Sequence, residues 1–185
     1  MTLVLVGANP TVAKDVESLP GRLVHVQLPG APALGCADQV LAVNFRDPPT
    51  FLAFADEVLR PLAPTAIVSL TELGMEPAAM AAQHLGVTGV TPAVVCATRD
   101  KLTMRRILER SAPHLNPAFA AGDDAPAVAR LFASYGRAVA KPVDGVGSTA
   151  VALIEGIGTL PPDRRTSATL FEQFAEGREY SVEAS

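Results

Sequence analysis

Cysteine is scarce in this chain, and its placing excludes more than it builds. Cys36 and Cys96 are the two present, far apart and in no metal-ligand spacing. They are expected as small buried or half-buried thiols in a reducing, cytoplasmic setting. A basic surplus is missing as well. Against 15 lysines and arginines stand 19 aspartates and glutamates, a net charge of −4, which offers no electrostatic footprint for nucleic acid. No apolar run approaches the roughly 18 residues of a membrane-spanning helix, so no membrane partner is expected. The N-terminus has no basic stretch ahead of its first apolar segment, and Lys14, Asp15 and Glu17 come too soon for a signal peptide. The first turn, Gly7-Ala-Asn-Pro-Thr-Val-Ala13, carries one glycine where a dinucleotide fingerprint needs three, and Pro10 removes a backbone N–H. Binding of NAD at that turn is not expected.

Apolar residues are plentiful. They make up 49% of the 185 residues, rich in alanine and valine, with 18% charged. This is a globular balance, in a chain long enough for one large domain or two small ones. Short apolar runs at 3–6, 23–28, 39–43 and 66–70 read as strands. Between the last two, Pro48-Pro49 opens a helix whose face is Phe51, Phe54, Ala55, Val58, Leu59 and Leu62. A further helix runs from about Glu76 to Leu85, with Gly86 as its cap. Strands separated by helices predict a parallel sheet covered on its faces. Ligands in such a sheet sit at the carboxyl ends of the strands, which here carry Asn9 and Thr71-Glu72. Glu72 has two readings there, a helix-start charge or a substrate contact.

The second half reads differently. Thr98 can cap a helix through Glu109, with Asp100 in its first turn. Lys101 in that first turn is on the wrong end for the helix dipole. It is a surface lysine or one reserved for an anion. A strand at 118–121 and a helix from Ala125 to Tyr135, with Gly136 beyond, follow. Then comes the most informative stretch, Ala138-Val-Ala-Lys-Pro-Val-Asp-Gly-Val-Gly-Ser-Thr-Ala-Val151. A short apolar run, Ala138-Val-Ala140, delivers Lys141 into a turn holding Gly145, Gly147 and Ser148, and a second apolar run, 149–154, leaves it. Two antiparallel strands joined by such a loop can fold their N–H groups over a polyanion beside a cation; an ordinary hairpin with a solvated lysine is the alternative. Residues 157–168 read as a polar surface connector, 170–175 as a strand, and 179–185 as an alternating segment in which the chain stops.

Three motifs in this order resemble the ATP-grasp superfamily: Arg99-Asp-Lys101 with Met104-Arg105, Lys141-Pro142 with Gly145-Val-Gly-Ser148, and Glu172-Gln-Phe-Ala-Glu-Gly-Arg-Glu179 running into Tyr180-Ser-Val-Glu183. The resemblance covers nearly the whole chain. It implies an α/β architecture: a Rossmann-like pre-ATP-grasp domain over 1–97, a connecting helix over 98–116, and over 117–185 the α+β lid subdomain with its adenine hinge strand, ending before the second half of the core. It also implies roles. Lys101 and Lys141 contact ATP phosphates as point charges, and the loop with Gly145, Gly147 and Ser148 closes over them. Glu172 takes the exocyclic amine of adenine, the backbone of Phe174 and Ala175 meets the base edge, and Glu179 accepts the ribose hydroxyls. Ser181 and Glu183 receive no role, and no catalytic residue is assigned.

The implied reaction is carboxylate–amine ligation, in which ATP activates a carboxylate as an acylphosphate for attack by an amine. Its partners are small-molecule carboxylates and amines, amino acids among them, and a homodimer is compatible with it. The family holds Mg²⁺ through carboxylates and an asparagine in the second half of the core, so those ligands are expected after residue 185 and none within the chain. The resemblance therefore implies the N-terminal portion of a longer ligase, catalytically incomplete alone. Amino-acid ligases match best around Glu72-Leu-Gly-Met-Glu-Pro and Leu85-Gly-Val-Thr-Gly89; purine-pathway ligases, D-alanine ligases and biotin-dependent carboxylases share the skeleton. A nucleotide-binding module without turnover is the reading from another class.

Overall fold

The computed structural model describes residues 1–178 and 180, apart from 10, 12 and 146–148. The chain divides into two compact units, Met1–Cys96 and Ala97–Ser185. Among the described residues no helix is long and apolar enough to cross a membrane.

The first unit is built on a parallel sheet of β1 (Thr2–Val6), β2 (Arg22–Gln27), β3 (Gln39–Ala42) and β4 (Ala66–Val68), in the order β3-β2-β1-β4. Every pairing is parallel, as the alternation of strands and helices requires. Alternate side chains on β1 and β2 enter two different cores. Val4, Val6, Val24 and Val26 pack with Phe51, Ala55, Leu59 and the alanines of α3 (Glu72–Leu85). Leu5 and Leu23 pack on the opposite face with Val16 of α1 (Ala13–Glu17) and Leu34. A strand covered on both faces must be apolar throughout, hence the unbroken run in β1.

The helix opened by the two prolines is α2 (Pro48–Phe54). Asp47 caps it, its carboxylate accepting from the Thr50 N–H. The helix then widens to π geometry over Ala55–Leu59 and ends in a 3₁₀ turn, Arg60–Leu62. Of the expected apolar face, Phe51, Ala55 and Leu59 are fully buried. By contrast α3 starts at Glu72, one turn earlier than the expected start near Glu76, and so contains Pro77. Proline here removes a hydrogen bond only to Leu73, beside the exposed helix start, where the loss is small. Gly74 lets α3 lie against the end of β1: a Cβ there would stand 2.2 Å from the Val6 carbonyl oxygen.

The connection into the second unit differs from the expected single helix capped by Thr98. There are two helices, α4 (Pro92–Arg99) and α5 (Lys101–Ser111), with Thr98 inside the first. Asp100 is the cap of α5, accepting from the Thr103 N–H at 2.6 Å. Asp100 breaks the helical run because its carboxylate bonds the backbone better from the cap than from a first turn.

The second unit holds an antiparallel sheet of β5 (Phe119–Ala121), β6 (Ala138–Pro142), β7 (Ala152–Ile154) and β8 (Thr169–Gln173), ordered β5-β8-β6-β7. One face carries Ala120, Ala138, Ala140, Ile154 and Phe171, packed against Val128, Leu131 and Phe132 of α6 (Ala125–Tyr135). Phe132 meets Phe171 edge to face at 6.1 Å. Two strands are shorter than their apolar runs suggest, because β7 starts at Ala152 and β8 ends at Gln173. The polar connector after β7 is not wholly a surface segment: Leu160 is buried in the α6 core.

Candidate functional site

The sheet of the second unit has a polar face. In its register Val139 stands opposite Glu172, and Lys141 opposite Leu170. Side chains two residues apart on a strand share a face, so Lys141 and Glu172 are diagonal neighbours there. The Lys141 Nζ donates to Glu172 Oε2 at 2.6 Å. From α5, Arg105 reaches the same carboxylate, with Nε 2.7 Å from Oε1 and Nη2 3.1 Å from Oε2. Asn116 holds Arg105 in turn: its Oδ1 accepts from Nη1 at 3.3 Å and its Nδ2 donates to the Arg105 carbonyl at 3.0 Å. Side-chain exposure is 8% for Glu172, 14% for Arg105 and 18% for Lys141. Burial pushes the Glu172 carboxyl up, but hydrogen bonds from Arg105 and Lys141, with their charges, outweigh it and hold it below the ordinary glutamate range.

The glycine loop starts at Lys141 as the connection between β6 and β7. Its near end is tied to the start of α5 at two points and to the end of α4 at one. The Lys101 backbone N–H donates to the Val143 carbonyl at 2.9 Å, and the Lys101 Nζ donates to the Gly145 carbonyl at 2.9 Å. Arg99 stands 3.6 Å from the Asp144 carboxylate. The cation on the unfavourable end of its helix dipole thus has a local reason to be there: it faces the loop. An ammonium has three donors, and the Gly145 carbonyl takes one. Gly147, Ser148 and Glu179 lie outside the described residues, as do Ser181 and Glu183.

Past β8 the sheet pairing ends at Gln173, which still faces Ala138. Phe174 and Ala175 follow outside the ladder, so their backbone groups are not spent on a neighbouring strand. Phe174 is half-buried, with the Arg137 guanidinium 4.4 Å above its ring, and Arg137 also pairs with Glu176. Glu72 belongs to the first unit. It is exposed in the first turn of α3, beside the point where strand order reverses between β1 and β4.

Sequence reasoning named Lys101, Lys141 and Glu172 but gave Arg105 no role. The signal was present. Arg105 is one helical turn after Lys101 on the same helix, and a glutamate in an otherwise buried strand needs a counter-ion.

No family model and no curated protein matches this chain in sequence. Solved structures do match in fold. The L-amino acid ligase from Bacillus licheniformis aligns with a TM-score of 0.74 at 20% identity, over 95% of this chain and 44% of that one. The phosphoribosylglycinamide synthetase from Anaerococcus prevotii aligns with a TM-score of 0.67 at 13% identity, over 95% and 46%. The N5-carboxyaminoimidazole synthetase from Staphylococcus aureus, complexed with ADP, aligns with a TM-score of 0.65 at 14% identity, over 94% and 46%. The chain spans less than half the length of each. Its fold is that of one portion of these ligases, a parallel α/β unit and an antiparallel α+β unit, the arrangement implied by the resemblance to the ATP-grasp superfamily.

Proposed function

We propose that this chain forms the nucleotide-phosphate side of an ATP-dependent carboxylate–amine ligase. The observation that carries the reading is the meeting of two lysines from different elements at one glycine loop: Lys141 begins it and Lys101 is hydrogen-bonded to its Gly145. Two ammonium groups beside a glycine loop fit a polyphosphate, whose charge they offset while the loop's N–H groups bond its oxygens. Glu172 accepts from the adenine amino group, the Phe174 and Ala175 backbone meets the base edge, and Glu179 takes the ribose hydroxyls. Glu72, in the first unit, remains the candidate for substrate contact.

The reaction transfers the γ-phosphoryl group of ATP to a carboxylate oxygen, giving an acylphosphate and ADP. An amine then attacks the acyl carbon, an amide bond forms, and inorganic phosphate leaves. The chain's share is positioning and charge neutralisation by Lys101 and Lys141, with the loop excluding water from the acylphosphate. Magnesium would neutralise further phosphate charge. Among the described residues no three histidine, cysteine, aspartate or glutamate side chains gather to hold a metal ion. A soluble cytoplasmic enzyme acting on small-molecule carboxylates and amines is the setting this reading implies.

Incubating the full-length protein with ATP, Mg²⁺ and pairs of amino acids, then following ADP and phosphate release, tests the proposal. Pair-dependent release of both is expected. A protein that binds no adenine nucleotide sinks it.

A further inference from the structure

The polar face of the second sheet holds two cations against one carboxylate. Arg105 and Lys141 both bond Glu172, and the three side chains are largely buried. The two cations are not equivalent. Arg105 engages both carboxylate oxygens through a planar fork, and Asn116 holds it by accepting from the guanidinium Nη1 and donating to the Arg105 backbone carbonyl. Among the described residues the Lys141 ammonium makes a single contact, at the end of a flexible stem, and Lys141 belongs to the strand that leads into the glycine loop. One cation is enough to neutralise the glutamate, so one positive charge is surplus, and Lys141 is the one free to turn to another anion.

We propose that Arg105 is a positioning residue of the nucleotide site. By acting as the counter-ion of Glu172, it keeps that carboxylate an acceptor for a base amino group and leaves Lys141 available to a phosphate. This rests on the nucleotide reading above. An ionised carboxylate only accepts hydrogen bonds. It therefore suits adenine, which has an amino group at this edge, and disfavours guanine, which has a carbonyl there. Without Arg105, Lys141 would be the sole counter-ion of a buried charge and would be held on Glu172. Arg105 would then influence both ends of the ligand while touching neither.

The test measures ADP, GDP and adenosine binding to the full-length protein by calorimetry, with competition for the weak ligands, for the wild type, Arg105→Gln, Arg105→Lys and the double variant Arg105→Gln/Glu172→Gln. In Arg105→Gln the ratio of ADP to adenosine affinity is expected to fall at least tenfold, because Lys141 no longer serves the phosphates. In the double variant, with no carboxylate to hold Lys141, that ratio should return to within threefold of wild type. Its preference for ADP over GDP should instead fall at least tenfold. Arg105→Lys should keep the phosphate ratio within threefold. If Arg105→Gln does not fold, as a melting curve will show, the double variant and Arg105→Lys decide the matter. A folded Arg105→Gln with wild-type ratios overturns the role of Arg105, as does a double variant whose ADP-to-adenosine ratio stays collapsed. Wild-type protein that binds no ADP at all overturns the nucleotide site itself, and this proposal with it.

Discussion

Lys141 and Glu172 are diagonal neighbours on one face of the second sheet, with Nζ 2.6 Å from Oε2. The contact joins a lysine that leads into the glycine loop to a glutamate at the last paired turn of the central strand β8. Both members of the pair belong to the β6–β8 ladder, and the pair is buried enough for each member to depend on the other.

Lys141→Ala in the full-length protein should abolish nucleotide binding, or raise the dissociation constant for ADP at least tenfold, as read by calorimetry. Unchanged ADP affinity and unchanged turnover would remove the glycine loop from the nucleotide site.

Glu172→Gln leaves two largely buried cations without their carboxylate. Breaking one side of such a pair costs about 3–5 kcal/mol at neutral pH. The sign with pH follows from the direction of the shift. The Glu172 carboxyl is held low when folded, so its stabilisation is present above the unfolded value of about 4.3 and is lost as pH falls through the lower folded value. Melting curves of wild type and variant should therefore differ widely at pH 7 and converge below about pH 4. A constant gap would show that the charge is not the cause.

His25 predicts a second acid effect, from the first unit. It is fully buried, its Nδ1 accepts from the Leu34 N–H, and its Nε2 has no partner among the described residues. Burial pushes the imidazole below its usual 6.5. The unfolded chain takes up the proton first, so wild-type stability should decline as pH drops below about 6.5. His25→Leu should lack that decline between pH 6.5 and 5 in denaturant titrations; an identical slope would rule His25 out as its source.

Asp100→Ala removes the cap of α5, whose carboxylate accepts from the Thr103 N–H. The expected cost is about 1 kcal/mol. Because Lys101 follows directly and is bonded to the glycine loop, ADP affinity should fall as well. Stability loss with wild-type ADP affinity would separate the helix start from the site.

Gly74→Ala should destabilise the first unit by more than an exposed helix position would. The added Cβ would meet the Val6 carbonyl oxygen at 2.2 Å, a backbone atom that cannot swing aside. A melting temperature equal to or above wild type would contradict the close approach of α3 to β1.

Local patterns made much of this legible. The helix at 125–135 is there to the residue, because Asp124, Pro126 and Gly136 mark its ends and Val128, Leu131 and Phe132 its face. The parallel class of the first sheet followed from strands alternating with helices along the chain. Helix starts were less secure. Asp100 and Thr98 are both good caps, and only the path of the chain, with Lys101 N–H bonded to Val143, selects Asp100. The start of α3 near Glu72 depends on Gly74 fitting against Val6, a contact between residues far apart in sequence.

The sequence by itself determined which residues could do chemistry, since lysine, glycine and glutamate at fixed spacings carry their charge and backbone freedom wherever they are placed. Only the tertiary structure decided who partners whom. Glu172 and Arg105 are 67 residues apart, and no local rule links them. They meet because β8 is inserted between β5 and β6 and α5 lies within reach of that face. A buried carboxylate must then take whatever cations the fold delivers, because leaving it unpaired would cost several kcal/mol.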